Sequence, residues 1–147
     1  PPARFRCLAQ ARTVRDLNQV QRFCLPRDRS TGRFYEPSTI GPAEEDSMEW
    51  VYAMEILLED ATAQVWARIF EVDGCTFFQG LAPRNLFEDG AAAQLLHQKM
   101  AGLISAETEP GPVDSPLRPW IHCCLRSYCD ANGTLRFRMN DTVLPLE

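Results

Sequence analysis

The sequence predicts an all-β domain, and three observations carry that expectation. Residues 50–58 place Trp50, Tyr52, Met54, Ile56 and Leu58 on one face, with Glu49 and Glu55 marking the other, the period-two signature of a half-buried strand. Further stretches alternate in the same way and are separated by turn residues. One segment alone, residues 88–104, changes to the helical period.

Residues 4–13 read as the first strand, with Phe5, Cys7, Ala9 and Ala11 opposite Arg4, Arg6, Gln10 and Arg12. Past a turn at Arg15-Asp16-Leu17-Asn18, Val20 and Phe23 to Leu25 either resume that strand or begin a second, which Pro26 should stop. Residues 26–47, carrying Pro26, Gly32, Pro37, Gly41, Pro42 and Glu44-Glu45-Asp46, read as a long loop. The strand 50–58 turns at Glu59-Asp60-Ala61-Thr62 into 63–72, where Val65, Ala67 and Ile69 oppose Gln64, Trp66, Arg68 and Phe70, an antiparallel hairpin.

In the helical segment Ala92, Leu95, Leu96, Met100, Leu103 and Ile104 form the apolar stripe, and Glu88 and Asp89 lie where they complement the positive end. Residues 105–119, with Pro110, Pro112, Pro116 and Pro119, read as an extended connection. Strands 120–129 and 134–139 follow, joined through Asn132-Gly133, whose glycine can supply the positive φ of a tight hairpin. Strand, long loop, hairpin, helix, hairpin is the order of a five-stranded OB-fold barrel, whose helix falls between the third and fourth strands.

At 147 residues the chain is expected to be one domain, 1–147, with a core large enough to stand without disulfides or metal. Its beginning, Pro1-Pro2-Ala3-Arg4-Phe5, reads as a domain cut from a larger protein. No run of apolar residues approaches membrane-spanning length, so no membrane partner is expected. The six cysteines show no paired CxxC spacing, which leaves zinc without a home and favours reduced thiols.

Charge is uneven. Residues 1–33 hold eight arginines against two acids, a net +6, whereas the rest of the chain holds 7 basic and 18 acidic side chains, a net −11. A surface that acidic repels phosphates over most of its area. Two readings of the arginines stay open: a solvated strand face, or a single-strand DNA site formed by Arg4, Arg6, Arg12 and Arg15.

No catalytic constellation assembles. His97 and His122 lie in unrelated elements, and His122 and Cys123 point to opposite sides of one strand. The acidic run 44–46 lacks the spacing of a calcium loop, and no glycine-rich phosphate motif occurs. The expectation is a binding module with no enzyme activity and no cofactor.

The segment Arg118-Pro119-Trp120-Ile121-His122-Cys123-Cys124-Leu125-Arg126-Ser127-Tyr128, then Asn132-Gly133-Thr134 and Asn140-Asp141-Thr142, resembles the closing strands of the last OB domain in the protection-of-telomeres family. Val51 to Phe78, with Leu58-Glu59-Asp60-Ala61-Thr62 at its turn, and Phe5-Arg6-Cys7-Leu8-Ala9 leading to Phe23-Cys24 are similar too. Animal members insert a resolvase-like domain here and hold zinc through paired CxxC motifs; this chain has Cys24-Leu25-Pro26-Arg27 and the 26–47 loop instead.

The resemblance implies a nuclear protein at chromosome telomeres. It implies that this domain docks the telomere-complex subunit that recruits telomerase, while other domains of the protein hold single-stranded telomeric DNA. Leu96, Met100 and Leu103 on the helix, with Phe77, Phe78 and Phe87 at the barrel rim, are the expected docking residues, each with core packing as its competing reading. The alternative is a single-strand DNA-binding OB domain such as that of the CST complex large subunit, using the arginine-rich first strand.

Overall fold

The computed structural model describes residues 3–104 and 118–144. Its strands are β1 (Arg4–Val14), β2 (Cys24–Asp28), β3 (Met48–Glu59), β4 (Gln64–Phe70), β5 (Trp120–Cys129) and β6 (Leu135–Asn140). Three helices accompany them: α1 (Pro42–Glu45), α2 (Val72–Phe77) and α3 (Gly90–Ile104), with 3-10 turns at Leu17–Phe23 and Pro37–Thr39.

The strands pair in the order β1-β5-β6-β4-β3-β2, and β1 also pairs with β3, so β1, β5, β6, β4 and β3 are hydrogen-bonded in a ring. All ring contacts are antiparallel except β4 with β6. That parallel pair joins two hairpins, β3–β4 and β5–β6, which are adjacent in sequence within themselves but not to each other.

A register shift between Ala11 and Thr13 lets β1 serve two neighbours. Its first part, Arg4 to Gln10, lies on β5; its last residues lie on the end of β3. The irregularity bends the strand and so helps the sheet close on itself. Asp16, at φ 60°, then turns the chain into the 3-10 segment, and β2 rejoins β3 at its opposite end, from Cys24 opposite Tyr52 to Asp28 opposite Met48.

Four sequence expectations need correction. Among the described residues there are six strands, because the residues after the turn form a strand of their own. Pro26 lies inside β2 without ending it: the β3 ladder occupies one side of β2, and on the other side the chain returns in an isolated bridge of Arg27 with Phe34, where Tyr35 N–H donates to the Pro26 carbonyl at 3.1 Å, so the missing N–H falls on that short edge pairing and not on the ladder with β3. The strand expected through Val72 ends at Phe70, where Glu71 takes φ 52° and starts α2. The loop 26–47 carries a 3-10 turn and α1. The 105–119 connection lies, up to residue 117, outside the described residues.

The hairpins are fixed by aspartates. Asp60 Oδ1 accepts the N–H groups of Thr62 (2.7 Å) and Ala63 (3.0 Å) between β3 and β4. Asp130 Oδ1 does the same for Asn132 (2.9 Å) and Thr134 (3.0 Å) between β5 and β6, where Gly133 takes φ 78°. At the start of α3, where the acids were expected to complement the positive end, Asp89 Oδ1 also caps the helix by accepting the N–H of Ala92 at 3.0 Å.

One core fills the ring and extends under α2 and α3. Ile56, Ala67, Ile69, Ile121, Leu125 and Met139 supply its strand side, and Leu96, Met100 and Leu103 its helical side. Gly74 of α2 packs on the Tyr52 ring so closely that a Cβ there would overlap it. The Tyr52 hydroxyl donates to the Leu81 carbonyl at 2.7 Å, satisfying the one polar atom that this ring carries inward.

Candidate functional site

Burial removes most of the residues the sequence proposed for docking. Leu96, Met100 and Leu103 are fully or almost fully buried on the inner face of α3, and Phe77 and Phe78 pack on each other at 5.1 Å beneath Tyr52. These five side chains are core: α3 turns its stripe onto the ring, and the last residue of α2, Phe77, and the residue that caps it, Phe78, both point inward. Phe87, 57% exposed, keeps a free face beside Arg22 and Pro37. Leu95, expected on the apolar stripe, is 42% exposed.

The four arginines of the first strand are not gathered at one site. Arg4 and Arg6 stand on the outer face near the start of β1. Arg12 lies 3.8 Å from Glu59, which also receives Arg118 at 2.7 Å. Arg15 follows β1 and crosses to β3 and β4, where its Nε lies 2.9 Å from Glu55 and its guanidinium 4.7 Å from the centre of the Trp66 ring.

That crossing borders a groove of about 600 Å³ between β3, β4, β5, β6 and the 130–134 loop. Trp66, Val65, Tyr128 and Leu135 supply apolar surface, and Glu55, Arg68, Asp130 and Arg136 supply charge. Trp66 is 40% and Leu135 59% exposed. In an OB fold, ligands are held on the face of the second and third ring strands, between the connections that flank it. Here those strands are β3 and β4, and the 130–134 turn is one of the flanking connections.

The charges of this face are largely matched within the chain. Arg15 pairs with Glu55, Arg136 with Asp130 at 2.9 Å, and Arg138, just beyond, with Asp73 at 2.7 Å. Arg136 Nε and the loop amides hold the Asp130 carboxyl below its ordinary range. Arg68 stacks over Phe70 at 4.3 Å, and Arg27 bridges Glu49 (2.8 Å) and Glu71 (2.6 Å). Sequence reasoning placed Trp66 and Phe70 opposite the apolar face of their strand but missed the groove, because its walls come from β3, β4, β5 and β6, brought together by the parallel pairing.

Among the described residues neither a reactive thiol dyad nor a metal-ligand cluster assembles. All six cysteines are free. Burial pushes the Cys123 and Cys24 thiols up to about 12, the reverse of what a thiolate nucleophile requires. Among the described residues no cluster of three or more His, Cys, Asp or Glu side chains forms.

No curated protein matches the chain. A family model described as "POT1A-like, OB fold domain" matches residues 37–133, about two thirds of the chain, from the approach to β3 to the turn before β6. The strand ring with its helix between the two hairpins agrees with that description, and the chain belongs to the POT1A-like OB-fold domain family.

Proposed function

We propose that this domain is a telomere-associated protein-docking module, and that the groove beside Trp66 receives a segment of a partner polypeptide. The observation that carries the reading is the combination of an exposed apolar surface, Trp66 and Leu135, with arginines already neutralised by Glu55, Asp130 and Asp73. A phosphate binding Arg15 or Arg136 on this face would have to displace a carboxylate, whereas an apolar side chain gains by leaving water, and matched charges at the rim can exchange with those of a peptide.

Membership of the POT1A-like family supports a telomeric and hence nuclear setting. On that basis the partner is the telomere-complex subunit that recruits telomerase, and the domain anchors it to a protein that holds the telomeric single strand elsewhere. The function is binding, without catalysis.

The test is capture of that subunit by the 147-residue chain and by a Trp66→Ala, Leu135→Glu variant. Loss of capture by at least a hundredfold, with an unchanged melting temperature, is expected. Equal capture by the folded variant overturns the groove assignment.

A further inference from the structure

Of the charged groups that line the groove, Glu55, Asp130 and Arg136 have ion-pair partners in the chain, and Arg68 has none among the described residues. The strand pairing shows why. Arg68 of β4 stands directly opposite Glu55 of β3, but Arg15 holds that carboxylate at 2.9 Å. Its parallel neighbour on β6 is Arg138, whose charge is met by Asp73 at 2.7 Å. The sheet therefore sets one cation beside another and gives the nearest acid to a third arginine, leaving one positive charge unbalanced.

Arg68 is exposed yet held in place, because its guanidinium lies over the Phe70 ring at 4.3 Å. Stacking engages the flat face of a guanidinium and not its edge, where the N–H donors form the fork that meets a carboxylate through two parallel hydrogen bonds. Trp66 and Arg68 are alternate residues of β4 and share its outer face, so they are about 7 Å apart along the strand. Beyond Arg68 a second hollow, of about 220 Å³, opens beside Arg22, Leu25 and Ala53, and it shares Glu55 and Arg68 with the groove. An extended segment that leaves the groove towards this hollow crosses Arg68. Covering the guanidinium with an apolar side chain would strip its water and leave the charge without a partner.

We infer that the partner segment carries an aspartate or glutamate two residues from the apolar side chain that rests on Trp66 and Leu135, and that Arg68 reads it. The inference rests on the groove reading above and adds to it the chemistry of the occupant. One unmatched guanidinium between Glu55 and Asp130 suits a single carboxylate, whereas the successive phosphates of a nucleic acid would meet both acids.

The probe is a displayed library of random twelve-residue peptides, selected on the 147-residue chain and counter-selected on Trp66→Ala to remove peptides that bind elsewhere. Peptides that require Trp66 should carry Asp or Glu at a spacing of two from Trp, Phe or Leu. One such peptide, made with Asp or with Asn at that position, should lose about tenfold in affinity for the wild-type chain on the change to Asn. The same change should cost less than about twofold on Arg68→Gln, whose melting temperature should stay level because the side chain is exposed. Arg68→Lys should keep part of the preference for Asp, since the charge remains and the fork is lost.

Trp66-dependent peptides with no acid at that spacing, or a loss on the change to Asn that is equal in wild type and Arg68→Gln, overturn the inference and leave the groove standing. A library without a Trp66-dependent peptide overturns both. Displacement of the peptide by oligothymidylate from the wild-type chain, but not from Arg68→Gln, would assign Arg68 to phosphate and likewise overturn the inference.

Discussion

Arg15 covers the Trp66 ring at 4.7 Å while its Nε holds Glu55 at 2.9 Å, so one side chain after the first strand ties the faces of β3 and β4 together. Both partners are partly exposed, and contacts of this kind contribute about 1 kcal/mol or less. Arg15→Ala should therefore lower stability by no more than about 1 kcal/mol in urea unfolding, yet weaken partner capture by uncovering and freeing the indole. A large stability loss would make the contact structural and remove Trp66 from the binding face.

Leu96 and Leu95 are neighbours in sequence with opposite fates. Leu96→Ala empties a filled core site and should cost about 2–5 kcal/mol; Leu95→Ala, on the exposed side of α3, should stay within about 0.5 kcal/mol. Denaturant midpoints with equal slopes would check this. Similar costs at both positions would mean that α3 is rotated from the orientation described.

Gly74 has no room for a methyl group against Tyr52. Gly74→Ala should destabilise by about 1–3 kcal/mol, the cost of overpacking a filled core. Pairing it with Tyr52→Ala should recover part of the loss, a non-additivity that a double-mutant cycle measures.

Acid should weaken the fold. Arg118 is the largest of the influences that lower the Glu59 carboxyl, the Ala92 amide that of Asp89, and Arg136 that of Asp130; hydroxyl and amide donors of Ser30 and Thr62 do the same for Asp28 and Asp60. Each group has a lower pKa folded than unfolded, so the unfolded chain binds the proton first. Their contribution is complete above about pH 5 and is lost as pH falls through about 4 and below. A melting temperature that is flat from pH 6 to pH 3 would contradict these contacts.

Thiol labelling should separate the cysteines. Cys129 is exposed, whereas Cys24 and Cys123 are buried with thiols raised to about 12. A maleimide at neutral pH should modify Cys129 first and reach Cys24 and Cys123 only on unfolding. Early modification of Cys123 would reopen it as a nucleophile.

Local periodicity made much of the architecture legible. The β3–β4 hairpin could be read because Met54, Ile56 and Leu58 alternate with charged and intermediate positions, and the last hairpin because Asn132-Gly133 can turn only one way cheaply. α2 was missed because six residues containing a glycine carry too little periodic signal. Pro26 misled because its cost depends on whether a neighbouring strand needs its N–H, which the sequence does not state.

Short-range chemistry thus determined, from the sequence by itself, where chain segments alternate, coil and turn, and that the arginines crowd into the first thirty-three residues. Only the tertiary structure decided which apolar side chains are spent on the core and which arginines meet a carboxylate. The reason is that burial and ion pairing are properties of neighbours in space, set here by the parallel meeting of β4 and β6 and by the closure of β1 onto both β3 and β5.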